Sequence, residues 1–155
     1  MAGADGEKAL GTWDIGPFDN DSAADWSGRL HDAAPAERAG IVERALRDVE
    51  TESGYLDCDV AADAVAAAAV VASQLPGGPK IESAYAPDFL TGGESLPLPE
   101  HLPALAVRAL DRIVADESEW RDLWADSGAL DKAVAELGPI RVALDRRGPL
   151  AGAAG

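Results

Sequence analysis

Hydrophobic positions recur at helical spacing through most of the chain. Ala23, Trp26 and Leu30 stand at i, i+3 and i+7, which predicts a first helix from about Ser22 to Ala33. Pro35 interrupts it. Ala39, Val42, Leu46 and Val49 then predict a second helix from about Ala36 to Glu52, with Gly54 as its stop. The third segment, "DCDVAADAVAAAAVVASQL", is apolar on nearly every side after Asp63, and a helix without a polar face belongs at the centre of a fold. Asp57 or Asp59 is placed to cap its start, and "PGGP" at residues 76–79 ends it.

Leu102, Ala106, Ala109 and Ile113 predict a fourth helix from about Pro99 to Ala115. Asp116 or Ser118 starts a fifth that carries Trp120, Leu123 and Trp124, whose four-residue spacing places the two tryptophans on a core face, and Gly128 breaks it. A last stretch from about Ala129 to Arg146 runs through Leu130, Val134, Leu137, Ile140 and Leu144, and Pro139 should kink or divide it. Residues 76–99 are rich in Pro, Gly and Ser and hold Tyr85 and Phe89; a connection of that length is functional or mobile, and a short hairpin is compatible with it. The expected fold is all-α: a single compact helical bundle of five or six helices with one long Pro/Gly-rich connection. Residues 1–10 and 148–155 have too little to bury and are expected to be disordered, leaving 11–147 as one helical domain.

Composition supports this class. Of 155 residues 47% are hydrophobic, and alanine, which favours closely packed helices, supplies much of that fraction. Charge adds a constraint on partners. Thirteen basic against 28 acidic residues leave a formal charge of -15, a field that repels nucleic-acid phosphates and anionic membranes and favours a basic protein partner. Residues 1–103 hold 6 basic and 19 acidic groups (-13), residues 104–155 hold 7 and 9 (-2), so the acidic bias belongs to the first two thirds. Cys58 is the only cysteine, which excludes an internal disulfide and a multi-cysteine metal site. The start lacks the basic and apolar blocks of a secretory signal, and the apolar run Ala64 to Ala72 is far short of the ~20 residues of a membrane helix, so a cytoplasmic protein is expected.

Candidate chemistry concentrates in "GTWDIGPFDNDSAADW", residues 11–26, where Asp14, Asp19, Asp21 and Asp25 crowd around Trp13, Phe18 and Trp26. Ser22 with Asp25 three residues on approximates a capping box, and Asp19, Asn20 and Asp21 lie at the positive end of the helix dipole. A carboxylate there gains about 0.3–1 kcal/mol. Two carboxylates ~6 Å apart repel by roughly 3 kcal/mol at an effective dielectric of ~20, but by less than ~1 kcal/mol in water. Exposed aspartates therefore need no partner, whereas shielded ones need a cation. Arg29, or Arg108 and Arg112, could supply it; alternatively, Asp19, Asp21 and Asp25, with Asp63, offer the oxygen ligands of a divalent-metal site. An EF-hand is excluded, because counting from Asp19 its sixth and twelfth positions are Ala24 and Leu30. Asp59 and Asp63 share a helical face, and Asp63 is costly if buried unpaired. His31 and His101 have no ligand spacing and read as surface or helix-end residues. Cys58, between two aspartates, should have a raised thiol pKa, and Gly77, Gly78, Gly92 and Gly93 read as turns.

Tryptophan followed by "GPFDNDSAADW", then "YLD" before an alanine-rich helix, then "ALDRIVADESEWRDLW", resembles the domain of unknown function 4259 family of small, mainly bacterial proteins. The resemblance runs from about Gly11 to Arg146 and is strongest at residues 13–26. It implies a compact domain and carries no activity, substrate or cofactor. Relatives often hold an acidic residue within the third helix where this chain has Ala66 to Ala69, which implies that a carboxylate site there is incomplete. The expected function is thus a non-enzymatic interaction or regulatory protein that binds a basic protein through an acidic surface, with no cofactor. The competing expectation is a carboxylate-based, divalent-metal-dependent enzyme or metal-binding domain.

Overall fold

Helices make up most of the described residues, which in this computed structural model are 20–81, 86–91 and 95–145. In order they are α1 (Asp21–Asp32), a 3-10 turn (Pro35–Glu37), α2 (Arg38–Glu50), α3 (Cys58–Ser73), the short α4 (Asp88–Thr91), α5 (Leu102–Ile113), α6 (Glu119–Asp126), α7 (Leu130–Glu136) and α8 (138–145). No β-strand occurs among the described residues; Leu56 and Ser118 form an isolated parallel bridge. The all-α bundle is as the periodicity predicts. The two terminal tails, and residues 82–85 and 92–94 of the connection, lie outside the described residues.

The core is organised by α3. Eleven of its 16 residues, from Ala61 to Ala72, are buried, and α1, α2, α5 and α6 all pack against it. Alanine is the best helix former and keeps the helix narrow, so neighbours approach on every side without a polar face to hydrate. α2 contributes Val42, Leu46 and Val49, and α5 contributes Leu102, Leu105, Ala106, Ala109, Leu110 and Ile113 along one stripe. Each fully buried Leu or Ile in this layer stabilises the fold by about 1.5–3 kcal/mol relative to exposure. Trp120 joins the core and packs edge-on against the partly buried Trp124 with ring centroids 6.3 Å apart. Leu123, beside Trp124 in the sequence, is 46% exposed.

Local chemistry sets the boundaries. Asp57 caps α3 by accepting from the Asp59 and Val60 amides. At the other end the chain turns through Gly77, at φ 75°, and a side chain at Gly78 would place a Cβ 1.8 Å from the Ala72 carbonyl oxygen, so only glycine lets the turn fold back on the helix. Pro35 starts a 3-10 turn, which delays α2 until Arg38. Gly128, at φ 79°, ends α6. Pro139 divides the last stretch into α7 and α8, because a helix tolerates a residue without an N–H only in its first turn.

The long connection is pinned rather than paired as a hairpin where it is described. Phe89 and Leu90 of α4 and Leu96 enter the core. The Arg38 guanidinium lies 3.8 Å from the Phe89 ring centroid while donating to the Leu30 and His31 carbonyls at the end of α1. Gln74 accepts from the Leu96 amide at 2.7 Å.

Candidate functional site

Three signature segments meet at the first turn of α3. On one side stands α1. Its cap is Asn20, an extended residue whose side-chain oxygen accepts from the Ala23 amide at 2.9 Å. The capping box expected of Ser22 and Asp25 does not form. Ser22 lies inside the helix and donates instead to Asp63 Oδ1 of α3 at 2.7 Å. Asp21 and Asp25 are exposed and Trp26 is buried, so water relieves these two carboxylates while the tryptophan takes the core position. Trp13, Phe18 and Asp19 lie outside the described residues.

Asp63 is the half-buried group of this interface. Burial pushes its carboxyl up to about 6, against the hydrogen bond from Ser22 and the charge of Arg29, both of which favour ionisation; Asp59 and Asp25 add to the upward push. The Arg29 guanidinium approaches Asp63 Oδ2 only to 3.5 Å and remains 61% exposed. Arg29 is thus the cation that faces a carboxylate here. Arg108 and Arg112 are elsewhere: Arg108 pairs with Glu50 of α2, and Arg112 spends its guanidinium on backbone carbonyls.

That use of Arg112 builds the other side of the site. It donates to Gly54 at 2.6 Å, Glu117 at 3.1 Å and Asp116 at 3.2 Å, clamping the loop before α3 to the loop before α6. Between these loops the Leu56 amide donates to the Glu117 carbonyl at 2.8 Å and the Glu119 amide to the Leu56 carbonyl at 2.9 Å. The Glu119 side chain then accepts from the Cys58 amide at 2.9 Å, satisfying a helix-end donor of α3 from a different helix. Buried Ser118 caps α6 through the Arg121 amide. Tyr55, whose ring is largely exposed, donates its hydroxyl to Asp122 at 2.7 Å.

Negative charge is felt throughout this corner. The hydrogen bond to Asp122, followed by slight burial and the carboxylates of Asp122, Glu119 and Asp126, pushes the Tyr55 phenol up to about 12. The Cys58 thiol is pushed up to about 11, in the direction its flanking aspartates suggest, although burial is the larger cause and Glu119 contributes ahead of Asp59 and Asp57. Such a thiol is protonated at neutral pH and is a poor nucleophile. His101 sits at the start of α5 with Nε2 2.9 Å from Glu43, whose carboxyl is lowered by hydrogen bonds from His101 and Arg47; His31 is exposed in the last turn of α1.

Beside the Ser22–Asp63 contact lies an open groove of about 620 Å³ between α1, α2 and α3. Trp26, Ile41, Ala45 and Val60 give it apolar walls, and Arg29 and Arg44 face three carboxylates, Glu37, Asp48 and Asp63, in its lining. Sequence reasoning singled out Trp26, Arg29 and Asp63, and Ser22 only as a capping residue, but not Arg44 or Asp48, because pairing between helices leaves no local periodicity. Of the residues considered for a divalent ion, Asp21, Asp25 and Asp63 are described, and among the described residues no group of three or more His, Cys, Asp or Glu is arranged to hold a metal ion.

An α-helical bundle threaded by a buried alanine helix, with its signature segments gathered at that helix's first turn, defines the class of protein. Residues 11–136 match the family described as domain of unknown function (DUF4259), and the chain belongs to that family. Comparisons with curated proteins and with solved structures return no match. Among the described residues no helix is long and apolar enough to cross a membrane.

Proposed function

We propose that this protein is a non-enzymatic interaction or regulatory protein that presents an acidic surface to a basic protein partner. The observation that carries the reading is the band of carboxylates beside exposed Tyr55. Glu119, Asp122 and Asp126 recur at i, i+3 and i+7 on α6 and act on Tyr55, and Asp57 and Asp59 at the start of α3 join Glu119 around Cys58. Leu123 shares that α6 face, so the band carries two large side chains, Tyr55 at 53% and Leu123 at 46% exposure. Aromatic and apolar anchors ringed by like charge suit a partner of opposite charge: the field steers the encounter and the anchors supply contact area.

The test is affinity capture from the native cell with two baits, the wild-type protein and a Tyr55→Ala/Asp122→Asn/Asp126→Asn variant. A basic protein held by the wild type at low salt, released at high salt and not held by the variant is the expected result. Capture that is equal at low and high salt, or equal on both baits, would count against the reading.

A further inference from the structure

We propose that the groove between α1, α2 and α3 binds a zwitterionic small molecule with an apolar body, an α-amino acid or short peptide, with its carboxylate on Arg44 and its ammonium on Asp63. The proposal does not rest on the anchors Tyr55 and Leu123 or on the α6 carboxylates, none of which lines this groove.

Two observations place opposite charges with free hydrogen-bonding capacity in one cleft. Eight arginines fall among the described residues. Seven are engaged: Arg29, Arg47, Arg108, Arg121 and Arg141 with carboxylates, and Arg38 and Arg112 with backbone carbonyls. The eighth, Arg44, has no partner among the described residues and lines the groove. A protein of charge -15 that leaves one guanidinium unpaired beside a cleft keeps its most useful anion-binding fork available there. The second observation is Asp63. Its Oδ1 accepts from Ser22, whereas Oδ2 has only Arg29 at 3.5 Å and receives no hydrogen bond among the described residues. A half-buried carboxylate oxygen in this state is stabilised by an incoming N–H donor.

Trp26, Ile41, Ala45 and Val60 wall the same groove, whose volume of about 620 Å³ lies within the usual range for small-molecule sites. An anion without an amine would meet Glu37, Asp48, Asp63 and the net negative field. An amine without a carboxylate would leave Arg44 unused. Only a ligand with both charges satisfies both groups.

Isothermal titration with L-phenylalanine, diphenylalanine, 3-phenylpropionate and phenethylamine tests this. The expected result is saturable binding of phenylalanine or its dipeptide, with each single-charge analogue about tenfold weaker or worse. Arg44→Gln should weaken the zwitterion about tenfold without weakening phenethylamine, and Asp63→Asn should weaken both while binding 3-phenylpropionate no less tightly than the wild type does. Unchanged melting curves for Arg44→Gln, an exposed position, separate loss of binding from loss of fold. No binding of either zwitterion at millimolar concentration, equal affinity for all four compounds, or zwitterion binding indifferent to Arg44→Gln would overturn the proposal.

Discussion

Ser22 on α1 donates its hydroxyl to Asp63 on α3 at 2.7 Å, bridging 41 positions of sequence. The bond ties the signature helix to the central one through a carboxylate that burial disfavours in its charged form. Its pKa, raised from 3.8 to about 6, makes a definite demand on stability. Between these values the native state keeps a proton that the unfolded chain releases, so the contribution of this group is greatest below about pH 4, falls as pH rises through 6, and is level above. The full shift corresponds to about 3 kcal/mol, reduced to about 1–2 kcal/mol by the water that still reaches the site. Asp63→Asn keeps an acceptor for Ser22 and removes the charge. It should raise stability at pH 7.5 by about 1–2 kcal/mol and flatten the dependence between pH 4 and 6, both measurable by urea denaturation across pH. A wild-type protein whose stability rises over that interval, with Asp63→Asn no more stable, would contradict the assignment.

Asn20 and Ser22 divide work that the sequence suggests for one of them. Asn20→Ala removes the α1 cap and should cost about 1 kcal/mol (roughly 0.5–2) without changing the pH dependence. Ser22→Ala leaves the cap intact and takes a donor from Asp63, so its effect should grow as pH rises above 6, where Asp63 is charged. Paired urea melts at pH 5 and pH 8 distinguish the two. Equal losses at both pH values in Ser22→Ala would mean that its hydroxyl does not serve the carboxylate.

These two residues also show where the sequence is readable. The helices follow from i, i+3, i+4 periodicity and their ends from Asp57, Ser118, Gly128 and Pro139, because each of these signals is local. Segment 60–75 reads as central because its alanine-rich run leaves it no polar face. The site is not local. Tyr55, Leu56 and Cys58 are legible as "YLDC" and Glu119 and Asp122 as part of "ESEWRD", yet their pairing depends on two loops brought together by Arg112, which the sequence offers only as one of several cations for the aspartates. The same limit hides Arg44, whose significance lies in the partner it lacks.

Arg112 is expected to behave as a clamp. Its guanidinium reaches carbonyls of Gly54, Asp116 and Glu117, a spread that a lysine ammonium cannot span with the same fixed fork. Arg112→Ala should cost about 1–2 kcal/mol, given partial exposure of the contacts, and Arg112→Lys should recover less than half of it. Hydrogen exchange supplies a local readout: the Leu56 and Glu119 amides, which bond across the two loops, should exchange faster in either variant while amides in the middle of α3 keep their protection. Uniform acceleration across α3 would indicate general destabilisation instead of a clamp.

Cys58 offers a direct measure of the acidic corner. Its thiol, pushed up to about 11 by burial and then by Glu119, Asp59 and Asp57, should react slowly with Ellman's reagent at pH 8 in the native protein and rapidly in urea, where the thiol recovers an ordinary pKa. Glu119→Gln is the informative substitution, because the amide oxygen can still accept from the Cys58 amide while the charge is gone. It should lower the thiol pKa and speed the native reaction severalfold, with the melting curve little changed. Addition of salt should reproduce part of that acceleration in the wild type by screening the same carboxylates. If Glu119→Gln reacts at the wild-type rate and salt has no effect, burial alone governs the thiol, and the negative field around α3 and α6 is weaker than the proposed role for this face requires.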